Sequence, residues 1–155
     1  MIAHRRAMTI LMADDDADDR MLTKDALAES RLVNDLFLVA DGQELMDYLN
    51  RKGEYEDPGS SPRPGVILLD LNMPRKDGFE ALTEIRKDPV LRRIPVVILT
   101  TSKAEEDVYR GYDLGANSFV SKPVTFEGLV EAMKALGQYW FEIVELPIES
   151  HVGGG

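Results

Sequence analysis

The sequence predicts an α/β fold, a doubly wound (βα)5 domain on a five-stranded parallel sheet, and three observations predict it. Short apolar runs alternate with stretches of helical spacing along the chain. The runs are continuous rather than alternating, as expected of strands buried on both faces with helices on each side. The length of 155 residues suits one domain with a single sizeable core.

The elements follow in order. "MTILMA" (8–13) reads as the first strand, and Met21, Leu22 and Ala26 mark the helix after it. "LFLVA" (36–40) reads as the second strand. The helix that follows has Asp41 as its N-cap, carries Leu45, Met46 and Leu49, and is closed by Gly53. "KGEYEDPGSSPRPG" (52–65), rich in Pro, Gly and Ser, reads as an extended connection to the third strand, "GVILLD" (65–70). Phe79, Leu82 and Ile85 mark the third helix. "IPVVILT" (94–100) is the fourth strand, Val108, Tyr109 and Tyr112 mark the fourth helix, and "NSFVS" (117–121) is a weaker fifth strand. The last helix starts at the N-cap Thr125, places Phe126, Leu129, Val130, Met133, Leu136 and Trp140 on one face, and ends before Pro147. The ordered core is expected over about 8–145, with flexible termini at 1–7 and 148–155. Crossovers in such a sheet are right-handed, and ligands bind at the carboxyl ends of the strands.

Composition narrows the function. A net charge of -10 argues against nucleic acid, which needs clustered Lys and Arg. No cysteine is present, so disulfides, thiolate metal sites and cysteine nucleophiles are excluded. Both histidines, His4 and His151, lie in the tails, where neither can complete a Ser/His/Asp array. No apolar run approaches the ~20 residues of a membrane span, and the start lacks a cleavage-like site, so cytoplasm is the expected location.

The strand ends carry the chemistry. The first strand runs into Asp14 and Asp15, the third ends on Asp70, the fourth on Thr100 beside Thr101 and Ser102, and the fifth on Lys122, followed by Pro123. Like charges roughly 5 Å apart at an effective dielectric of about 20 repel by about 3 kcal/mol, so such a cluster of carboxylates calls for a cation or a proton. Oxygen-only donors suit a hard divalent ion, Mg2+ best. A carboxylate can take up a phosphoryl group, while an ammonium and a hydroxyl hold its oxygens.

These residues together resemble the receiver domain of two-component response regulators. The resemblance rests on Asp14–Asp15, "LLDLNMPRKDG" around Asp70, "PVVILTTS" with Thr100, and "GANSFVSKP" with Lys122. It implies a flavodoxin-like receiver architecture with strand order 2-1-3-4-5 and Asp70 as phosphoacceptor. Mg2+, with Mn2+ as a substitute, would be held by Asp15, Asp70 and the backbone carbonyl of Asn72, with Asp14 acting through water. Thr100 would be the switch hydroxyl, Lys122 the phosphate-pairing cation and Phe119 the rotamer switch, a Phe where Tyr is common. The bond before Pro123 is expected to be cis. The loop before the third strand and "YWFEIVELP" (139–147) narrow the resemblance to stand-alone receivers served by bacterial and cyanobacterial phytochrome kinases. The partner would be such a sensor histidine kinase, the output protein–protein contact without a DNA-binding domain, and the terminal apolar cluster a face for a homodimer.

Three rivals share parts of the pattern. A haloacid-dehalogenase-like phosphatase also uses an Asp nucleophile after an apolar strand, but needs an acid two residues on, where Asn72 stands. "DDDADD" (14–19) mimics a calcium loop, yet Asp19 occupies the position that requires Gly. Asp16, Asp18 and Asp19 read instead as a solvated helix start favoured by the dipole. A nucleotide binder would need a glycine-rich phosphate loop, and none occurs.

Overall fold

The computed structural model describes residues 8–30, 34–101 and 104–137. Five strands form one parallel sheet: β1 (Met8–Ala13), β2 (Asn34–Val39), β3 (Val66–Leu69), β4 (Val96–Thr100) and β5 (Ser118–Ser121), in the order β2-β1-β3-β4-β5. Five helices connect or follow them: α1 (Ala17–Glu29), α2 (Gly42–Asn50), α3 (Gly78–Lys87), α4 (Glu105–Asp113) and α5 (Phe126–Leu136). The predicted architecture and strand order are those observed.

Successive strand residues point to opposite faces, and the two faces carry two cores. Leu11, Ala13, Ile67, Leu69 and Ile98 pack with Leu45 and Leu49 of α2 and Phe79, Leu82 and Ile85 of α3. Ile10, Met12, Leu68, Val97 and Leu99 pack on the other face with Ala26 and Leu27 of α1 and Leu129, Val130, Met133 and Leu136 of α5. Every residue of β3 and β4 is buried, which is why those strands read as unbroken apolar runs. The edge strands β2 and β5 are only partly buried, so their sequence signal is weaker.

Several helical assignments need correction. The buried stripe of α1 is Thr23, Ala26 and Leu27, an i, i+3, i+4 set, and leaves Met21 and Leu22 in solvent. Tyr109 and Tyr112 of α4 are likewise exposed, because Gly111, lying between them, meets Ile98 and Phe119 of the sheet. Phe126 is exposed in the first turn of α5, while the rest of its described stripe is buried. Helix α2 is capped as predicted, the Asp41 side chain accepting from the Glu44 amide, but it closes at Arg51, in the left-handed region at φ 55°. Gly53 instead opens a short 3-10 turn, Gly53–Tyr55.

The connection between α2 and β3 is folded, not extended. Tyr48 Oη donates to the Pro62 carbonyl at 2.8 Å, Arg63 donates to the Leu49 carbonyl at 2.8 Å, and Tyr55 Oη donates to Glu44. The rings of Phe37, Tyr48 and Tyr55 pack in sequence, and burial pushes the Tyr48 hydroxyl up to about 12. Among the described residues no helix is long and apolar enough to cross a membrane. His4, Ser102, Trp140, Pro147, His151 and the terminal apolar cluster lie outside the described residues.

Candidate functional site: an acidic crevice at the strand ends

Because β1 and β3 are neighbours in register, the residues just past them become neighbours too. The Asp14 amide donates to the Val39 carbonyl at 3.1 Å, and the Asp70 amide to the Ala13 carbonyl at 3.0 Å. Both carboxylates thereby face one crevice, and Asp15 joins them at its exposed edge. Carboxylate oxygens of Asp14, Asp15 and Asp70 lie within 4.8 Å of one another. On the far side, the Lys122 amide donates to the Thr100 carbonyl at 2.8 Å, which fixes the end of β5 against β4. The acids, hydroxyl and ammonium expected from the sequence therefore converge.

Their contacts are specific. Asp70 Oδ1 accepts from Thr100 Oγ1 at 2.8 Å and from the Asn72 amide at 3.3 Å. Asp70 Oδ2 accepts from Lys122 Nζ at 3.0 Å. The same ammonium donates to Asp14 Oδ2 at 2.5 Å and to Asp19 Oδ2 at 2.8 Å. Asp14 Oδ1 accepts from the Asp16 amide, and its carbonyl accepts from Arg20 at 2.7 Å.

Burial dominates the electrostatics. It holds the Asp14 carboxyl above the usual carboxylate range despite the hydrogen bonds from Lys122 and the Asp16 amide, and the Asp70 charge pushes the same way. Lys122 is also buried, which alone would lower its basicity. Its bonds to Asp14 and Asp19 outweigh that cost and raise it above its ordinary value, so the ammonium stays charged.

The donor set fits a hard divalent cation. All three clustered ligands are carboxylates, and opposite ligands of an octahedral ion at 2.0–2.1 Å stand roughly 4.2 Å apart, within the observed spread. One ammonium does not balance Asp14, Asp15, Asp19 and Asp70, which leaves the crevice with an excess of negative charge.

Asn72 lines an open cavity of about 530 Å³ beside Asp15, together with Met73, Asp77, Phe79 and Arg110. The Arg110 guanidinium lies 4.3 Å from the centroid of the Phe79 ring. Phe119 is not at the crevice itself; it pairs with Ile98 and packs, partly buried, against the core below. The peptide bond before Pro123 is trans, contrary to expectation, as are all bonds among the described residues. The trans isomer is intrinsically preferred by about 0.5–1 kcal/mol, and with it Lys122 already reaches the three acids.

Sequence reasoning missed Asp19 and Arg20. From the sequence Asp19 reads as part of a solvated helix start, whereas its carboxylate accepts from Lys122. It lies in the first turn of α1, where an acid reads the same whether water or a distant lysine meets it, so no local signal marks it.

A parallel sheet of this order with acids, hydroxyl and lysine at successive strand ends defines a receiver. The chain belongs to the response regulator receiver domain family, whose description matches residues 10–134. It is similar to Response regulator Rcp1 of Synechocystis sp., 42% identical over 138 residues, which span 89% of this chain and 92% of Rcp1. Among solved structures it is similar to the phosphorylated cyanobacterial phytochrome response regulator RcpA, with a TM-score of 0.81 and 40% identity over 88% of this chain and 95% of that one. It is also similar to the Mn2+-bound form of Rcp1, with a TM-score of 0.79 and 40% identity over 88% and 96% of the two chains. The chain is thus a response regulator receiver, similar to receivers named as phytochrome response regulators, and the phosphatase alternative has no support.

Proposed function

We propose that Asp70 accepts a phosphoryl group from the phosphohistidine of a phytochrome-type sensor kinase and that the protein passes the signal on through protein–protein contacts in the cytoplasm. The observation that carries this reading is that the Asp70 carboxylate receives both the Thr100 hydroxyl and the Lys122 ammonium, the two donors able to follow new phosphoryl oxygens.

In the transfer, an Asp70 carboxylate oxygen forms the new bond to phosphorus. The phosphorus–nitrogen bond of the donor imidazole breaks, and its electron pair stays on that nitrogen. Mg2+, held by Asp15, Asp70 and the Asn72 carbonyl with Asp14 acting through water, would supply positive charge to the transferring oxygens. Lys122 pairs with a phosphoryl oxygen once the Asp70 oxygen is esterified. Thr100 turns toward another, β4 follows, and Phe119 repacks in the vacated space. The response is a population shift whose driving force is the differential contact energy of the phosphoryl group with the two states. The protein assists only its own phosphorylation and dephosphorylation, as a single receiver domain.

The test is phosphorylation of the full chain by acetyl phosphate with Mg2+ and by an autophosphorylated phytochrome kinase. Wild type is expected to gain one hydroxylamine-labile phosphoryl group, and Asp70→Asn none. Labelling that persists in Asp70→Asn at another residue refutes the acceptor assignment. Labelling by acetyl phosphate alone leaves Asp70 standing and refutes the phytochrome-type donor.

A further inference from the structure

Lys122 is saturated. Its ammonium has three N–H donors, and each is taken by a different carboxylate: Asp14 at 2.5 Å, Asp19 at 2.8 Å and Asp70 at 3.0 Å. These acids sit on three separate elements: the end of β1, the first turn of α1 and the end of β3. Two of them, Asp14 and Asp70, also belong to the carboxylate cluster suited to a divalent ion, and Asp19 does not. A divalent cation, reaching Asp70 directly and Asp14 through water, therefore competes with the ammonium for these two carboxylates.

The three partners are not equivalent. The Asp14 side chain is fully buried and that of Asp70 is 8% exposed, whereas that of Asp19 is 33% exposed. Asp19 does not cap its helix; Asp16 does, accepting from the amides of Asp18 and Asp19. Its carboxylate is thus held to the crevice by Lys122 rather than by a local backbone role.

We propose that Asp19 is a positioning residue for Lys122, a berth that keeps the ammonium at the crevice rim when a divalent cation takes up Asp70 directly and Asp14 through water. Without it, the lysine's charge falls wholly on the two acids the cation needs, and lysine excludes cation more strongly. This proposal rests on the divalent-cation part of the reading above and adds a residue outside the ligand set. Asp19 acts through Lys122, so its effect on cation binding must vanish when the lysine is absent.

A double-mutant cycle on the full chain tests this, with Mn2+ alone as the probe and free Mn2+ read by electron paramagnetic resonance. Asp19→Asn is expected to weaken Mn2+ binding about tenfold, within the range of coupled neighbours, and by less than about twofold in a Lys122→Ala background. Asp19→Glu, which keeps the carboxylate, should recover most of the loss. Asp18→Asn removes the same formal charge one residue away and should change binding less than about twofold, a simple surface-charge effect. An equal loss from Asp19→Asn with and without Lys122 overturns the proposal, as does an Asp18→Asn effect of the same size, because either makes Asp19 a bulk charge. If wild type does not bind Mn2+ at all, the cation reading fails and this proposal with it. Circular dichroism of each variant verifies the fold, and should Asp19→Asn fail to fold, the Asp19→Ser pair with and without Lys122 carries the same comparison.

Discussion

Thr100 Oγ1 donates to Asp70 Oδ1 at 2.8 Å, and both side chains are buried. The hydroxyl at the end of β4 is thus already bonded to the carboxylate at the end of β3 before any phosphoryl group arrives. Thr100→Val keeps the shape and removes this donor. A hydrogen bond to a charged group is worth about 1.5–3 kcal/mol, but Asp70 retains Lys122 and the Asn72 amide, so a loss of about 1–2 kcal/mol is expected in urea unfolding. Thr100→Ser should restore most of it. With beryllofluoride and Mg2+, the Phe119 amide resonance should shift in wild type and stay in place in Thr100→Val. A shift of the same size in both proteins argues against a hydroxyl-driven switch.

Asp15 separates metal binding from folding. It is exposed and belongs to the carboxylate cluster but takes no part in the Lys122 bridges. Asp15→Asn should therefore leave metal-free stability within about 0.5 kcal/mol of wild type, as for a surface substitution. A divalent ion at a hundred times its Kd stabilises a folded chain by about 2.7 kcal/mol. Thermal scans with Mn2+ and with a chelator should show that gain in wild type and its near disappearance in Asp15→Asn. An undiminished gain would move the cation elsewhere.

The parts legible in the sequence were those fixed by local pattern. β1 matches its expected span because its apolar run ends abruptly in charge, and β3 and β4 show because burial on both faces leaves no room for polar residues. The site was legible because each member is the residue at or just past a strand end, a position that order along the chain reveals. Asp19 was not, because its partner is 103 residues away, and an acid in a first helical turn reads the same whether water or a distant lysine meets it. Tyr109 and Tyr112 misled for a related reason: their spacing is helical, but Gly111 lets the sheet press against the other side of α4. The loop after α2 read as extended because its order comes from side chains, Tyr48, Tyr55 and Arg63, and not from backbone period.

Asp14 predicts a pH dependence with a definite sign. Burial raises its carboxyl above the unfolded value of 3.8, so the folded chain holds the proton longer than the unfolded one. Stability from this group is then full below 3.8 and falls as pH rises through the folded value. Asp14→Asn removes that loss while leaving Lys122 its bonds to Asp19 and Asp70. In urea titrations with chelator, the two proteins should converge near the unfolded value and diverge above it, with Asp14→Asn the more stable at neutral pH. Asp41, whose carboxyl stays low although burial opposes it, because the Glu44 amide and Arg75 bind it, adds the same opposite slope to both proteins and cancels. Parallel curves would mean that the crevice does not penalise the Asp14 charge.

Gly78 ties the site to α3. It is the first residue of that helix, after the N-cap Asp77, and it lies directly under the backbone of Asp70. A Cβ at this position would stand 2.4 Å from the Asp70 carbonyl oxygen and 2.8 Å from Leu71 Cα. Both are backbone atoms, so no side chain can swing away, and relief requires moving either α3 or the end of β3. Helix α3 is anchored by buried Phe79, Leu82 and Ile85 and by a capping box between Asp77 and Glu80, which leaves the strand end to yield. Gly78→Ala should therefore cost about 1–3 kcal/mol, the range for overpacking, and should also displace Asp70 from Thr100 and Lys122. Phosphorylation by acetyl phosphate should slow by more than the loss of folded protein accounts for. A variant as stable and as readily phosphorylated as wild type would show that the helix start, and not the phosphoacceptor's backbone, absorbs the extra methyl group.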